Sequence, residues 1–355
     1  MNANAPDEPL RNSFARQERE SVAGQGTSDV GVWQGWTMRV QATLTLMRPR
    51  QWSKNGLVVL ALLYSGASSR PGALLRVGLA FGAFCLLSSV VYVINDLVDR
   101  RADALHPHKR RRPLASGALT PRFAIALAAL LALGTSALIV TLARSLSAPR
   151  ALIGISALSG ISDPYAAWGG AAPLTALTFV AYLLINFAYS FWLKRLALYD
   201  VLAIASGFTL RALVGAFAIP VSVSAWFFLC VTFLALLLAL GKRRAEALAL
   251  GAQAGDHRPA LRDYPPALLD HLLTMMAACA LVTYSLYTFQ GVHAARLLIL
   301  TIPIALFGVM RYLFLVYVHA EGERPETLLW RDRQLRGCMA AYLAAVFIIL
   351  YLLPT

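Results

Sequence analysis

Apolar runs of about twenty residues, separated by short polar stretches, recur from residue 53 almost to the end of the chain. A helix rises about 1.5 Å per residue, so about 20 residues cross a hydrocarbon layer about 30 Å thick. On that measure the pattern predicts nine transmembrane helices, over 53–69, 74–97, 121–143, 171–190, 200–219, 224–241, 271–290, 296–319 and 336–353. Stretch 145–170 breaks the rhythm. Its Gly, Ser and Pro residues and Asp163 argue for an external loop or a half-inserted segment rather than a tenth span. The runs are too long and too evenly apolar for barrel strands, and lipid offers no water to backbone groups. The expected fold class is therefore all-α, a polytopic membrane helical bundle. Residues 1–36 are polar and aperiodic, without the apolar core of a signal peptide. They predict a disordered cytoplasmic tail over 1–40 and one transmembrane domain over 41–355.

Composition agrees with this picture. The 355 residues are 58% hydrophobic and only 14% charged, where a soluble domain carries about a quarter charged residues. A net charge of +14 could suggest nucleic acid, but its placement does not. Lys and Arg concentrate in the N-terminal segment and in the loops after the second, fourth, sixth and eighth spans. The opposite loops hold only Arg70, Arg76, Arg144, Arg150 and Arg296. The positive-inside rule then places the N-terminus and the even loops in the cytoplasm, and the C-terminus outside. The expected location is the plasma membrane, with lipid and not nucleic acid as surroundings. Cys85, Cys230, Cys279 and Cys338 lie singly in or beside apolar runs and read as small hydrophobes.

The second span ends in Asn95-Asp-Leu-Val-Asp-Arg-Arg-Ala-Asp103. At about 100° per residue, Asp96, Asp99 and Asp103 share one stripe of a helix, with Asn95 close to Asp99. Pairing with Arg100 and Arg101 would account for one or two of these acids, not for four oxygen-bearing side chains on one face. Hard oxygen donors so grouped suit magnesium, which bridges carboxylates to substrate phosphate. A basic run, His106-Pro-His-Lys-Arg-Arg-Arg-Pro113, follows at once. Lys109, Arg110 and Arg112 are its candidate phosphate ligands, since Arg grips phosphate with paired hydrogen bonds and Lys acts as a point charge.

Further candidates lie apart in sequence. Lys54 and Asn55 reach beyond the ordinary interfacial anchor Arg48-Pro-Arg-Gln-Trp52 and are expected to contact phosphate or sugar. Tyr189 and Lys194 close the fourth span and Asp200 opens the fifth. Each has a plain alternative as belt residue, topology signal or helix cap. Arg211 is mid-span beside Ser206 and Gly207, where an ionisable group must face the bundle interior. Arg311 is a second intramembrane arginine without a partner legible in the sequence, and Lys242, Arg243 and Arg244 read mostly as topology signal. No GxxxxGK[ST] loop, Gly-rich dinucleotide fingerprint, HExxH or GxSxG motif occurs.

These residues resemble the UbiA superfamily of intramembrane prenyltransferases, whose NDxxDxxxD motif is matched by Asn95, Asp96, Asp99 and Asp103. The chain is most similar to the decaprenyl-phosphate phosphoribosyltransferase branch. The strings RPRQWSKN (48–55), YVINDLVDRRADALHPHKRRRPLASG (92–117), YSFWLKRLALYD (189–200), SGFTLRALVGA (206–216) and GKRRAE (241–246) carry that match. Aromatic prenyltransferases usually add a second Asp motif, DxxxD, for a second magnesium. Here Asp200 is followed four positions later by Ile204, which departs from that pattern and fits the phosphoribosyl branch.

The resemblance implies nine helices around a central cavity open to the cytoplasmic side. It also implies a magnesium-dependent transferase acting on phosphoribosyl diphosphate and a polyprenyl phosphate. Asp96, Asp99, Asn95 and Asp103 would hold the metal and act catalytically; Lys54, Asn55, Lys109, Arg110, Arg112, Tyr189, Lys194, Asp200 and Arg211 would bind substrate. The alternative activity is prenyl transfer from a polyprenyl diphosphate to an aromatic or other acceptor. A transporter would leave the acidic stripe without a use. The sequence leaves oligomeric state open, a homo-oligomer included.

Overall fold

A computed structural model describes residues 37–65, 70, 72–105, 109–147, 165–251, 259–290, 293–322 and 325–353. The expected tail over 1–36, residues 148–164 of the ambiguous stretch, and His106 to His108 lie outside the described residues. Within the described residues the secondary structure is helical, without strands. Helix α1 covers 37–47 and so takes in the last positions of the expected tail. It is followed by α2 (Leu57–Ser65), α3 (Ala73–Val98), α4 (Arg100–Leu105), α5 (Pro121–Ser147), α6 (Ala171–Phe191) and α7 (Tyr199–Ala218). The remainder are α8 (Ala225–Leu250), α9 (Pro266–Phe289), α10 (Ile302–Val318), α11 (Pro325–Arg331) and α12 (Arg333–Phe347). Eight helical segments among the described residues are long and apolar enough to cross a membrane. The chain is a multi-pass membrane protein.

The first expected span differs. It starts as a 3-10 helix, Pro49–Gly56, and continues as the nine-residue α2. Pro49 lacks an amide donor and suits an N-terminal turn, and Asn55 near the other end is buried and donates to Cys85 Sγ. The sixth span also departs from expectation. It does not stop at 241: α8 runs on to Leu250, because Ala-Glu-Ala-Leu-Ala-Leu is strongly helix-forming and Glu246 pairs with Lys242 and Arg243 along the helix. Arg243 and Arg244 therefore lie on a helix, not in a loop. Arg311 finds its partner in Asp332, with Nη2 to Oδ2 at 2.7 Å and Nε to Oδ1 at 3.2 Å. The same carboxylate caps α12 by accepting from Leu335 N–H at 2.7 Å. The Arg311 fork and that cap hold the Asp332 carboxyl below the usual carboxylate range.

The chain divides into two units, one from Met1–Pro49 and Tyr92–Ala128, the other from Arg50–Val91 and Ala129–Thr355. In the second unit α7 serves two cores. Val214, Ala216 and Ala218 join Val58 and Leu62 of α2, Phe84 of α3 and Phe179 of α6. Val201 and Ala205 join Leu237 and Leu240 of α8, Leu269 and Leu273 of α9, and Leu315 of α10. Helices in lipid gain little from hydrophobicity and associate through close packing of small residues. Gly215 shows this directly: a Cβ there would lie 2.1 Å from the Val58 carbonyl oxygen. Backbone cannot yield as a side-chain tip can, so Gly215→Ala is expected to destabilise the protein by roughly 1–3 kcal/mol or more. A drop in melting temperature of the solubilised protein would register it, while an unchanged melt would contradict the close approach of α2 and α7.

Candidate metal and anion sites

In the unit of Met1–Pro49 and Tyr92–Ala128, α3 carries Asn95 and Asp96 in its last turn, breaks at Asp99 and resumes as α4. Asp99 N–H bonds Asn95 O at 2.9 Å, and Asp103 N–H bonds Asp99 O at 2.8 Å. Helical hydrogen bonding thus continues through the break from Asn95 to Asp103. Asp96 and Asp103 are only 3% and 4% exposed; Asp99 is half-buried.

Asp96 and Asp103 pair with arginines remote from them in sequence. Arg112 Nη1 donates to Asp103 Oδ2 at 2.7 Å and to Asp96 Oδ1 at 3.1 Å. Arg48 Nη2 donates to the same Asp96 Oδ1 at 2.6 Å, and its guanidinium lies 5.0 Å from the Tyr92 ring centroid. Arg48 adopts a left-handed backbone, φ 55°, which costs a non-glycine residue about 1–2 kcal/mol. Arg100 instead braces the following loop by donating to Leu114 O at 3.1 Å. Lys109 and Arg110 are exposed on a 3-10 turn, Lys109–Arg111.

Among the described residues no three His, Cys, Asp or Glu side chains gather as a metal group. The donor chemistry nonetheless fits a hard cation. Two buried carboxylates already face one cationic nitrogen, Arg112 Nη1, and water completes the coordination of magnesium where protein ligands are few.

The second unit contains two further clusters. In the first, Arg211 of α7 is 6% exposed and donates to Asn55 Oδ1 at 2.7 Å, Gly207 O at 2.8 Å and Tyr182 Oη at 2.8 Å. Its guanidinium also lies over the rings of Tyr182, Phe208 and Phe84. Asn55 is oriented in turn by Cys85 and Ser88 of α3. Among the described residues no carboxylate pairs with Arg211. A Cβ on Gly207 would lie 3.5 Å from the guanidinium, an ordinary contact distance.

In the other cluster, Asp200 is fully buried. Its Oδ2 accepts from Arg243 Nε at 2.6 Å, and its Oδ1 accepts from Tyr264 Oη at 2.8 Å. Burial pushes the Tyr264 hydroxyl well above the usual tyrosine range, so it stays protonated and donates. Arg243 also holds Glu246 at 2.5 Å and reaches Tyr189 Oη at 3.4 Å. Asp200, expected to bind substrate, is thus enclosed by protein groups. Lys54 and Lys194 are half-buried on separate 3-10 turns, Pro49–Gly56 and Leu193–Arg195.

The structure therefore joins Asp96, Asp103 and Arg112, joins Asn55 with Arg211, and joins Tyr189 with Asp200. Sequence reasoning missed Arg48, Tyr182, Arg243, Glu246 and Tyr264 as members of these clusters. Arg48 and Arg243 stood inside strings already singled out, RPRQWSKN and GKRRAE. For Tyr182 and Tyr264 no local signal exists.

The sequence pattern described as the UbiA prenyltransferase family matches residues 56–161. A decaprenyl-phosphate phosphoribosyltransferase of Mycolicibacterium smegmatis is 30% identical over 327 residues, 88% of this chain and 93% of that protein. One of Mycobacterium tuberculosis is 31% identical over 313 residues, covering 86% of this chain and 93% of the relative. Among solved structures, a UbiA homolog from Archaeoglobus fulgidus bound to GPP and Mg2+ shares the fold. Its TM-score is 0.60 at 17% identity, over 87% of this chain and 99% of that one.

Proposed function

The chain belongs to the UbiA prenyltransferase family, and we propose that it transfers 5-phosphoribose from phosphoribosyl diphosphate to a polyprenyl phosphate, with magnesium, on the cytoplasmic side of the plasma membrane. That it is a transferase follows from the family and from its relatives. The names of the mycobacterial relatives support the finer reading. The observation that carries it over prenyl transfer is the state of Asp200. This carboxylate is paired with Arg243 and hydrogen-bonded by Tyr264, and Ile204 stands four positions on. Asp200 thus lacks the second acid of a DxxxD pair, and in this reading the metal falls to the Asn95–Asp103 stripe.

In this reading Asp96 and Asp99 hold magnesium, with Asn95 and Asp103 in support. The ion supplies Lewis-acid neutralisation of the charge that grows on a departing diphosphate. Arg48 and Arg112 pass from carboxylates to diphosphate oxygens, and Lys109 and Arg110 add positive charge around them. The bond from the anomeric carbon to diphosphate breaks, its electron pair leaving on the diphosphate. An oxygen of the lipid phosphate forms the new bond from the opposite face, inverting that carbon. A phosphate monoester is already ionised at neutral pH, so the site needs no strong base. Lys54 with Asn55, Lys194 and Arg211 hold the acceptor phosphate or the ribose 5-phosphate. Arg211 is suited to this because its buried charge has no carboxylate partner among the described residues.

Purified protein given phosphoribosyl diphosphate is expected to release diphosphate only when polyprenyl phosphate is present. Chelation should stop the reaction and added Mg2+ restore it. Release from a prenyl diphosphate with an aromatic acceptor, and none from the sugar donor, would establish the alternative.

A further inference from the structure

Lys194 lies on the turn between α6 and α7, and that turn is tied down on both sides by one buried network. On the incoming side, Tyr189 Oη is reached by Arg243 Nη2 at 3.4 Å. On the outgoing side, Asp200 accepts from Arg243 Nε at 2.6 Å and from Tyr264 Oη at 2.8 Å. Between them, Leu198 N–H donates to the same Tyr264 oxygen at 2.7 Å. Leu198 has φ 68°, a left-handed conformation unfavourable to leucine, and the bond to Tyr264 helps keep it there.

Three members of this network, Arg243, Tyr264 and Asp200, are enclosed by protein and not available to a ligand. Arg243 is 1% exposed, Tyr264 2% and Asp200 0%. A guanidinium this deep is tolerated because two carboxylates, Asp200 and Glu246, match it. Such a rigid, enclosed network next to a cation-bearing turn fixes geometry and does not bind substrate. A lysine on a flexible stem gains most from a fixed origin, since its charge is otherwise spread over many positions.

We infer that Arg243, Asp200 and Tyr264 are positioning residues that set where Lys194 presents its ammonium to a substrate phosphate. The inference rests on the proposed assignment of Lys194 to such a phosphate. Tyr264 and Arg243 touch the substrate only through that lysine, so their removal and the removal of Lys194 must not add.

The experiment is a double-mutant cycle on the full-length protein, with phosphoribosyl diphosphate and decaprenyl phosphate as substrates. Lys194→Met shows which substrate's KM the lysine sets. Tyr264→Phe removes one hydroxyl and is expected to raise that same KM about three- to ten-fold while leaving kcat nearly unchanged. The double variant is expected to be no worse than Lys194→Met alone. Arg243→Lys keeps the charge but cannot reach Tyr189, Asp200 and Glu246 together. It is expected to show the same non-additivity, and it decides the matter if Tyr264→Phe does not fold. Multiplying losses, or a rise in the other substrate's KM, would overturn the positioning role while leaving Lys194 as a ligand. Unchanged KM values in Lys194→Met would overturn the lysine assignment and the inference with it.

Discussion

Asp96→Asn is expected to lower transfer by about a hundred-fold or more, because it removes charge from the one carboxylate oxygen that two arginines share. Asparagine nearly preserves shape and can still accept a hydrogen bond. What it lacks is the negative charge that binds a divalent cation strongly and balances two guanidinium groups. Asp103 would then face Arg112 alone, and Arg48 would lose its carboxylate among the described residues. The stability cost should be modest, about 1–3 kcal/mol, the price of weakening a charged hydrogen bond at a partly buried site. Loss of activity with a largely preserved melt is therefore the signature. A companion readout is Mn2+ binding followed by electron paramagnetic resonance, which should weaken in Asp96→Asn whatever the activity. Parent-like transfer together with parent-like metal binding would remove the acidic stripe from the chemistry.

Arg211→Met carries the second large effect, and it separates function from architecture. The arginine makes three charge-assisted hydrogen bonds to neutral acceptors, each contributing about 1.5–3 kcal/mol. Against them stands the desolvation of a buried cation with no carboxylate partner among the described residues, several kcal/mol in the opposite sense. The two terms are of similar size, so the melting temperature is expected to shift by only a few degrees. Methionine also fits the aromatic cage of Phe84, Tyr182 and Phe208 well. Activity, by contrast, is expected to fall about a hundred-fold or more, as loss of a preorganised donor to a substrate phosphate does. A protein that unfolds yet stays active per folded molecule would make Arg211 a structural strut only.

Much of the fold was legible because hydropathy reports directly on lipid, and most of the expected spans match helices of the structure. The exceptions have local causes. The first span opens on a 3-10 segment that ends at Gly56 before α2 begins, and the Ala- and Leu-rich stretch after Arg244 extends α8 past its apolar core. The helical register expected for the acidic run holds across the break at Asp99, although no three of its carboxylates gather as a metal group among the described residues. Partners of the charged groups were not legible. Arg48 and Asp96 are 48 positions apart, Arg211 and Asn55 156, and Arg243 and Asp200 43. Periodicity cannot report such pairings, which arise only when helices pack. The plain reading of Arg243 as a topology signal failed for that reason: its charge is spent on Asp200 and Glu246.

The most direct test of the proposed activity is the identity of the lipid product. Purified protein would be incubated with Mg2+, phosphoribosyl diphosphate and decaprenyl phosphate, and the extracted lipid weighed by mass spectrometry. The account predicts a lipid heavier by one phosphoribosyl group, formed in equal amount to the diphosphate released and absent in Asp96→Asn. An unchanged lipid, with a prenylated acceptor formed instead when a prenyl diphosphate is supplied, would contradict it.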